Sequence, residues 1–309
     1  MKRRVIQLAG KTHVLSLPSK WVKSYNIKKG DELDIEELGN SLTIKSKKSE
    51  TELKKISLNI DSFGIRTFRY AISALHKAGY DEIVLYGETS KLKDSIQDLI
   101  QNLLLGFVVI EQTSKKIVLK SVTHEIESEF DPTLRRAFLV TISLANSSLE
   151  MMSLKQFSSL QSLINLEKTN NQLTSFCLRL MNKGLYKDKD KEAFLVTIVW
   201  NLEKIADEYK AICMNFSDNT KEIDQSILKL YKEVNELFVS YYDLIYKFSP
   251  EKLNELVDKK NEIANTMSKI NPSNDCELGL FTKLSTIVSK TSDLSSSIFG
   301  LHYKELVDN

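Results

Sequence analysis

Glu203 and Asp207 stand four residues apart, in a stretch where Leu195, Ile198, Val199, Leu202, Ile205, Ala206, Tyr209 and Ile212 recur with helical spacing. On a helix that spacing stacks the two carboxylates one turn apart, at the flank of the apolar stripe, where they can share one ion. Glu167 and Asn171 repeat the spacing one helix earlier. Oxygen-rich pairs suit hard divalent or ferric cations, and a pair from each of two antiparallel helices makes half of a surface cluster. The same spacing recurs on solvated helix faces that bind nothing, so spacing alone leaves both readings open. Nucleophilic chemistry has less to build on. His13, His76, His124 and His302 are scattered, no Ser/His/Asp or Cys/His context emerges, and carboxylates on a helix flank lack the enclosed pocket that metal hydrolysis requires. No enzyme is expected.

A second chemistry lies at the N-terminus. Eight basic residues, Lys2, Arg3, Arg4, Lys11, Lys20, Lys23, Lys28 and Lys29, precede the first acid, Asp31. Residues 1–48 hold eleven Lys or Arg against five Asp or Glu, a net +6 in a chain whose formal charge is only +2. Such segregation gives one end a positive field suited to phosphates. The alternative is that these lysines solubilise a dimerisation module.

The elements that must position these groups change along the chain. Seven of the ten glycines fall in the first 106 residues, so a turn-rich architecture precedes long helices. From Lys2 to Ser46 the period is two wherever the chain is not turning. Val5–Leu8 pairs with Thr12–Leu17 around Ala9-Gly10-Lys11, Pro18 opens a short helix carrying Trp21, Val22 and Tyr25, and Leu33–Ile35 pairs with Leu42–Ile44 around Gly39-Asn40. A β-β-α-β-β unit this small buries too little surface to stand alone. Residues 50–121 alternate strand and helix: Leu53–Ile60, Ser62–Lys77, Glu82–Tyr86, Lys91–Leu105, then a hairpin of Phe107–Gln112 and Lys116–Lys120. Gly87-Glu88-Thr89-Ser90 at a helix start reads as a plain N-cap before it reads as an anion site. From Asp131 onward six helices are expected: Pro132–Leu154, Ser158–Leu185, Lys191–Phe216, Lys221–Phe248, Pro250–Ile270 and Glu277–Val307. Domain boundaries are set at 1–48, 50–121 and 131–309.

Cys177, Cys213 and Cys276 are odd in number and lack C-x-x-C spacing, which favours neither disulfides nor a zinc ribbon and fits the reducing cytosol. No uncharged apolar run reaches about 18 residues and no secretory apolar core follows the basic start. A cytoplasmic protein without membrane insertion is expected.

Two resemblances extend this reading. Arg3-Arg4-Val5-Ile6-Gln7-Leu8, Leu15-Ser16-Leu17-Pro18-Ser19-Lys20-Trp21 and Ile27-Lys28-Lys29-Gly30-Asp31-Glu32-Leu33 resemble the AbrB/SpoVT swapped-hairpin domain. That likeness implies an interleaved homodimer that binds DNA, with Arg3, Arg4, Lys11, Lys20 and Lys23 facing phosphates. Leu202-Glu203-Lys204-Ile205-Ala206-Asp207-Glu208-Tyr209 and Leu166-Glu167-Lys168-Thr169-Asn170-Asn171-Gln172-Leu173 resemble the paired acidic motifs of PhoU, the regulator of phosphate uptake. PhoU has two similar three-helix bundles whose motifs hold iron or zinc clusters, and it acts with a histidine kinase and a phosphate ABC transporter. The order of segments resembles archaeal PhoU-related regulators over essentially the whole chain. Asn171 departs from the motif by replacing an acid. In the second repeat Ser289 stands where the first acid belongs, Asp293 fits the second, and Lys260-Asn261-Glu262-Ile263-Ala264 lacks matching acids.

The resemblances imply an α+β multidomain fold: an N-terminal swapped-hairpin β-barrel dimer, a small α/β segment, then an all-α, PhoU-like pair of three-helix bundles. They place any iron or zinc at Glu167, Asn171, Glu203 and Asp207. The expected function is a phosphate-responsive transcriptional regulator, a homodimer or higher oligomer. An adaptor that contacts a phosphate transporter or signalling protein without binding DNA is the alternative, and an antitoxin a further one.

Overall fold

A computed structural model describes residues 2–46, 53–123, 125–219 and 222–307. The expected boundary near residues 48–50, the helix start at Lys221 and His124 lie outside these. The chain is an α+β protein that divides into two compact units, Met1–Leu53 and Lys54–Asn309.

The smaller unit is two hairpins and a helix. Strands β1 (Val5–Leu8) and β2 (Thr12–Leu15) pair antiparallel with Val5 opposite Leu15. Ala9 and Gly10 both take positive φ in the turn between them. Helix α1 is Ser19–Ser24, and β3 (Leu33–Leu38) pairs with β4 (Ser41–Ser46). Gly39 holds the first place of their two-residue turn at φ +59°, the position where that turn demands glycine. The β-β-α-β-β order is the one the alternation predicts.

The larger unit opens with a four-stranded sheet in the order β5-β6-β8-β7, formed by Lys55–Asn59, Glu82–Tyr86, Lys116–Ser121 and Phe107–Gln112 respectively. β5 and β6 are parallel, and β8 runs antiparallel to both its neighbours. Helices α2 (Ile65–Lys77) and α3 (Lys93–Asn102) cover one face, with Phe68, Ile72, Ile96 and Leu99 packed on Ile83, Leu85, Ile117 and Leu119. The opposite face keeps Lys55, Ser57, Asn59 and Tyr86 exposed. In the Gly87-Glu88-Thr89-Ser90 turn, which reads as a plain N-cap before an anion site, the Glu88 carboxylate accepts from the Ser90 amide at 3.2 Å and the Ser90 hydroxyl at 2.6 Å.

Behind α2 and α3 stand α4 (Phe130–Ser153), α5 (Leu160–Asn182), α6 (Glu192–Phe216), α7 (Gln225–Tyr246), α8 (Pro250–Met267), α9 (Asp275–Ser292) and α10 (Leu294–His302). Ser249 caps α8 by accepting from the Lys252 amide, and Pro250 follows it as expected. Two details differ from the sequence reading. The chain winds into α4 through a short 3-10 turn, so α4 starts at Phe130 with Glu129 as its cap, and Asp131-Pro132 fall inside the first turn. The sixth helix is broken at Asp293 into α9 and α10. α4, α5 and α6 pack on one another, as do α7, α8 and α9, and α6 also meets α9 and α10. One continuous apolar core joins all of them. Among the described residues no helix is long and apolar enough to cross a membrane.

Candidate functional site

The basic residues of the smaller unit are presented by turns and by a helix too short to bury anything. Arg3 and Arg4 lead into β1, Lys11 closes the β1–β2 turn, and Lys20 and Lys23 lie three apart on one side of α1. All five are exposed, and their side chains make no ion pair or hydrogen bond among the described residues. α1 has no acid in its first turn and no side-chain cap. Free cations held on a small scaffold can neutralise phosphates additively.

The same unit leaves its apolar residues uncovered. Val5 and Leu15 share one face of the first hairpin, Ile6, Leu8 and Val14 the other, and each is at least 37% exposed. Leu33, Ile35, Leu42 and Ile44 share one face of the second hairpin, with Ile35 at 64% and Leu42 at 68%. None of this unit's residues whose burial is described is buried, so among them a single copy shows no core.

The acidic pairs do come together on α5 and α6. Glu167, near the start of α5, meets Lys210, near the end of α6, so the two helices run antiparallel. Glu167 is 1% exposed, and burial together with the nearby Asp207 charge pushes its carboxyl above the usual range, against Lys210 and Asn171. Asn171 donates from Nδ2 to Glu167 Oε1 at 2.6 Å. Glu203 and Asp207 project from α6 on the same side, bridged by Lys204. Among the described residues no group of three or more His, Cys, Asp or Glu is arranged to hold a metal ion.

A buried polar cluster that no sequence motif announces ties α5 to the α/β layer. Arg179, fully buried, donates from Nε to Glu125 at 2.7 Å, from one terminal nitrogen to Asp81 at 2.6 Å, and from the other to the carbonyls of Tyr80 and His76. Lys183 reaches both carboxylates. Burial acts to raise the Asp81 carboxyl, but hydrogen bonds from Lys183 and the Lys54 amide and the charges of Lys183 and Arg179 hold it below the usual range. His76 is buried beside this cluster. Its Nε2 meets the Leu105 carbonyl, which only accepts, so Nε2 carries the proton and Nδ1 accepts from the Ser175 hydroxyl at 3.0 Å. Burial, helped by Arg179, lowers its pKa to about 3. Arg179 inside the apolar run Cys177-Leu178-Arg179-Leu180 is the one signal of this cluster that the sequence carries.

No curated protein and no solved structure matches the chain. The likeness of the helices to PhoU therefore rests on their motifs alone. The N-terminal end is different. Residues 6–52 match the family described as antidote-toxin recognition MazE, bacterial antitoxin, a swapped-hairpin family of the AbrB/SpoVT kind, so the basic unit is the part of this chain that a known family describes.

Proposed function

We propose that the chain is a DNA-binding regulator that acts as a cytoplasmic homodimer, without catalytic activity, through its N-terminal unit. The observation that carries this reading is the pairing, in one small unit, of five exposed basic side chains with apolar hairpin faces that the unit itself does not cover. The family match to residues 6–52 supports it. The helices form the sensor or adaptor part. A response to phosphate, through a phosphate transporter or its signalling partner, is the finer form of the proposal and rests on motif resemblance.

The test is titration of the full chain against a fluorescently labelled duplex of mixed sequence at several salt concentrations. Affinity should fall steeply with salt, and Arg3→Ala with Arg4→Ala should flatten the slope of log K against log salt by roughly 0.9 for each phosphate no longer neutralised. Unchanged affinity and slope in the double variant would remove these residues from the interface.

The MazE match favours a second reading, an antitoxin-like protein whose larger unit engages a partner protein. A chain that binds no DNA yet neutralises a growth-arresting neighbour on co-expression would establish it.

A further inference from the structure

An ion shared by Glu203 and Asp207 would sit between their carboxylates, and that place is taken. Lys204 Nζ lies 3.2 Å from Glu203 Oε1 and 2.9 Å from Asp207 Oδ2. On α5 the amide of Asn171 and the ammonium of Lys210, at 2.6 and 3.0 Å, converge on the same oxygen, Glu167 Oε1. Lys77, the last residue of α2, comes within 3.8 Å of Glu203 Oε2. Three carboxylates thus face three ammonium groups, and the cluster is neutral without a metal. A divalent or trivalent ion would have to expel lysines already paired there.

Asn171 fits the same logic. Its amide donates to Glu167, where a second carboxylate would repel it. Against this stand three buried oxygens that have no donor among the described residues: Glu167 Oε2, Asn170 Oδ1 and Asn171 Oδ1. Two neutral amide oxygens and one carboxylate oxygen are a poor set for iron or zinc, which draw on imidazole, thiolate or several carboxylates. Waters, which donate hydrogen bonds and carry no charge, suit such oxygens. The donor set therefore does not fit the cluster that the motif resemblance implies.

We infer that the α5–α6 node is closed by the protein's own lysines, which stand where PhoU-like motifs would place iron or zinc, and that it serves as an ion-pair lock joining α2 to the α5–α6 hairpin. The inference is independent of DNA binding. Purified from metal-replete cells, the full-length wild-type chain should carry no stoichiometric iron, zinc or manganese by elemental analysis. Its thermal midpoint should not move with chelator or with added manganese or zinc. Lys204→Met with Lys210→Met leaves the carboxylates in excess and should create a midpoint rise on adding manganese, abolished again with Glu203→Gln. One equivalent of metal in wild type that disappears with Glu203→Gln and Asp207→Asn would overturn the inference, as would a folded Lys204→Met, Lys210→Met protein that manganese leaves untouched. Should the double lysine variant not fold, the wild-type metal content and chelator response decide alone.

Discussion

Arg179 is the residue on which the larger unit turns. A buried guanidinium that satisfies two carboxylates and two carbonyls cannot be removed without leaving Asp81 and Glu125 to share the single ammonium of Lys183 in a buried site. Arg179→Met should cost about 3–5 kcal/mol in urea unfolding, far more than the loss of its stacking over the Phe107 ring explains. The signs of the pH response at this cluster agree. Unfolded His76 takes up a proton below its ordinary 6.5, whereas the folded ring stays neutral down to about 3. Stability should therefore fall as pH drops through that window, by up to about 1.4 kcal/mol per pH unit. The depressed Asp81 carboxyl adds a loss below its ordinary 3.8. His76→Gln, which keeps a donor for Leu105 and an acceptor for Ser175, should flatten the slope between pH 6.5 and the Asp81 range. An identical slope would show that His76 does not carry it. None of this is legible from spacing, because Asp81 and Glu125 lie 98 and 54 residues from Arg179 in sequence. Glu167, Asn171, Glu203 and Asp207 are legible because a helix fixes i, i+4 neighbours locally. Their lysine partners Lys210 and Lys77 are not, since they arrive from other helices.

At the scale of elements, periodicity carries most of the fold. The α6 stripe from Leu195 to Ile212 is buried throughout, at 4% exposure or less, as its spacing requires. Periodicity says little about where a helix stops within a run of small polar residues. Thr291-Ser292-Asp293-Leu294-Ser295-Ser296-Ser297 continues the helical pattern in composition, yet the chain leaves α9 and re-enters as α10 at Asp293. The re-entry lets α10 lie close on α6. At Gly300 an added Cβ would fall 2.5–2.6 Å from ring atoms of Phe194. Gly300→Ala should therefore destabilise by about 1–3 kcal/mol, although alanine is the better helix former by about 1 kcal/mol. Phe194→Leu in the same chain should restore part of the loss, measured by denaturant midpoint. A stabilising Gly300→Ala would mean that α10 does not seat against α6.

For the whole molecule, composition divides the chain at its N-terminal end but not behind it. The expected α/β segment and helices share one compact unit, because Arg179, Lys183 and Asn182 bond α5 to Asp81 and to the end of α2. The smaller unit makes the sharper prediction. Ile35 is 64% exposed in a single copy, so a monomer would tolerate Ile35→Lys, whereas a dimer that buries this face would not. Sedimentation of the full chain at micromolar concentration should show wild type at twice the chain mass and Ile35→Lys shifted toward one. Wild type at one chain mass would sink the dimer. The larger unit, for its part, begins at a mechanical joint. The Lys54 amide donates to Asp81 Oδ2 at 2.9 Å, and the Asp81 amide returns a bond to the Lys54 carbonyl at 2.7 Å. Arg179 and Lys183 hold the same Asp81 carboxylate. Tension arriving along the chain at Lys54 is therefore taken up just before β5, an edge strand with one neighbour, and passes through Asp81 into the last turns of α5. The anchor is shared: Asp81 ties the chain at Lys54 to α5 through Arg179 and Lys183, and to the sheet through β6, which begins at the next residue.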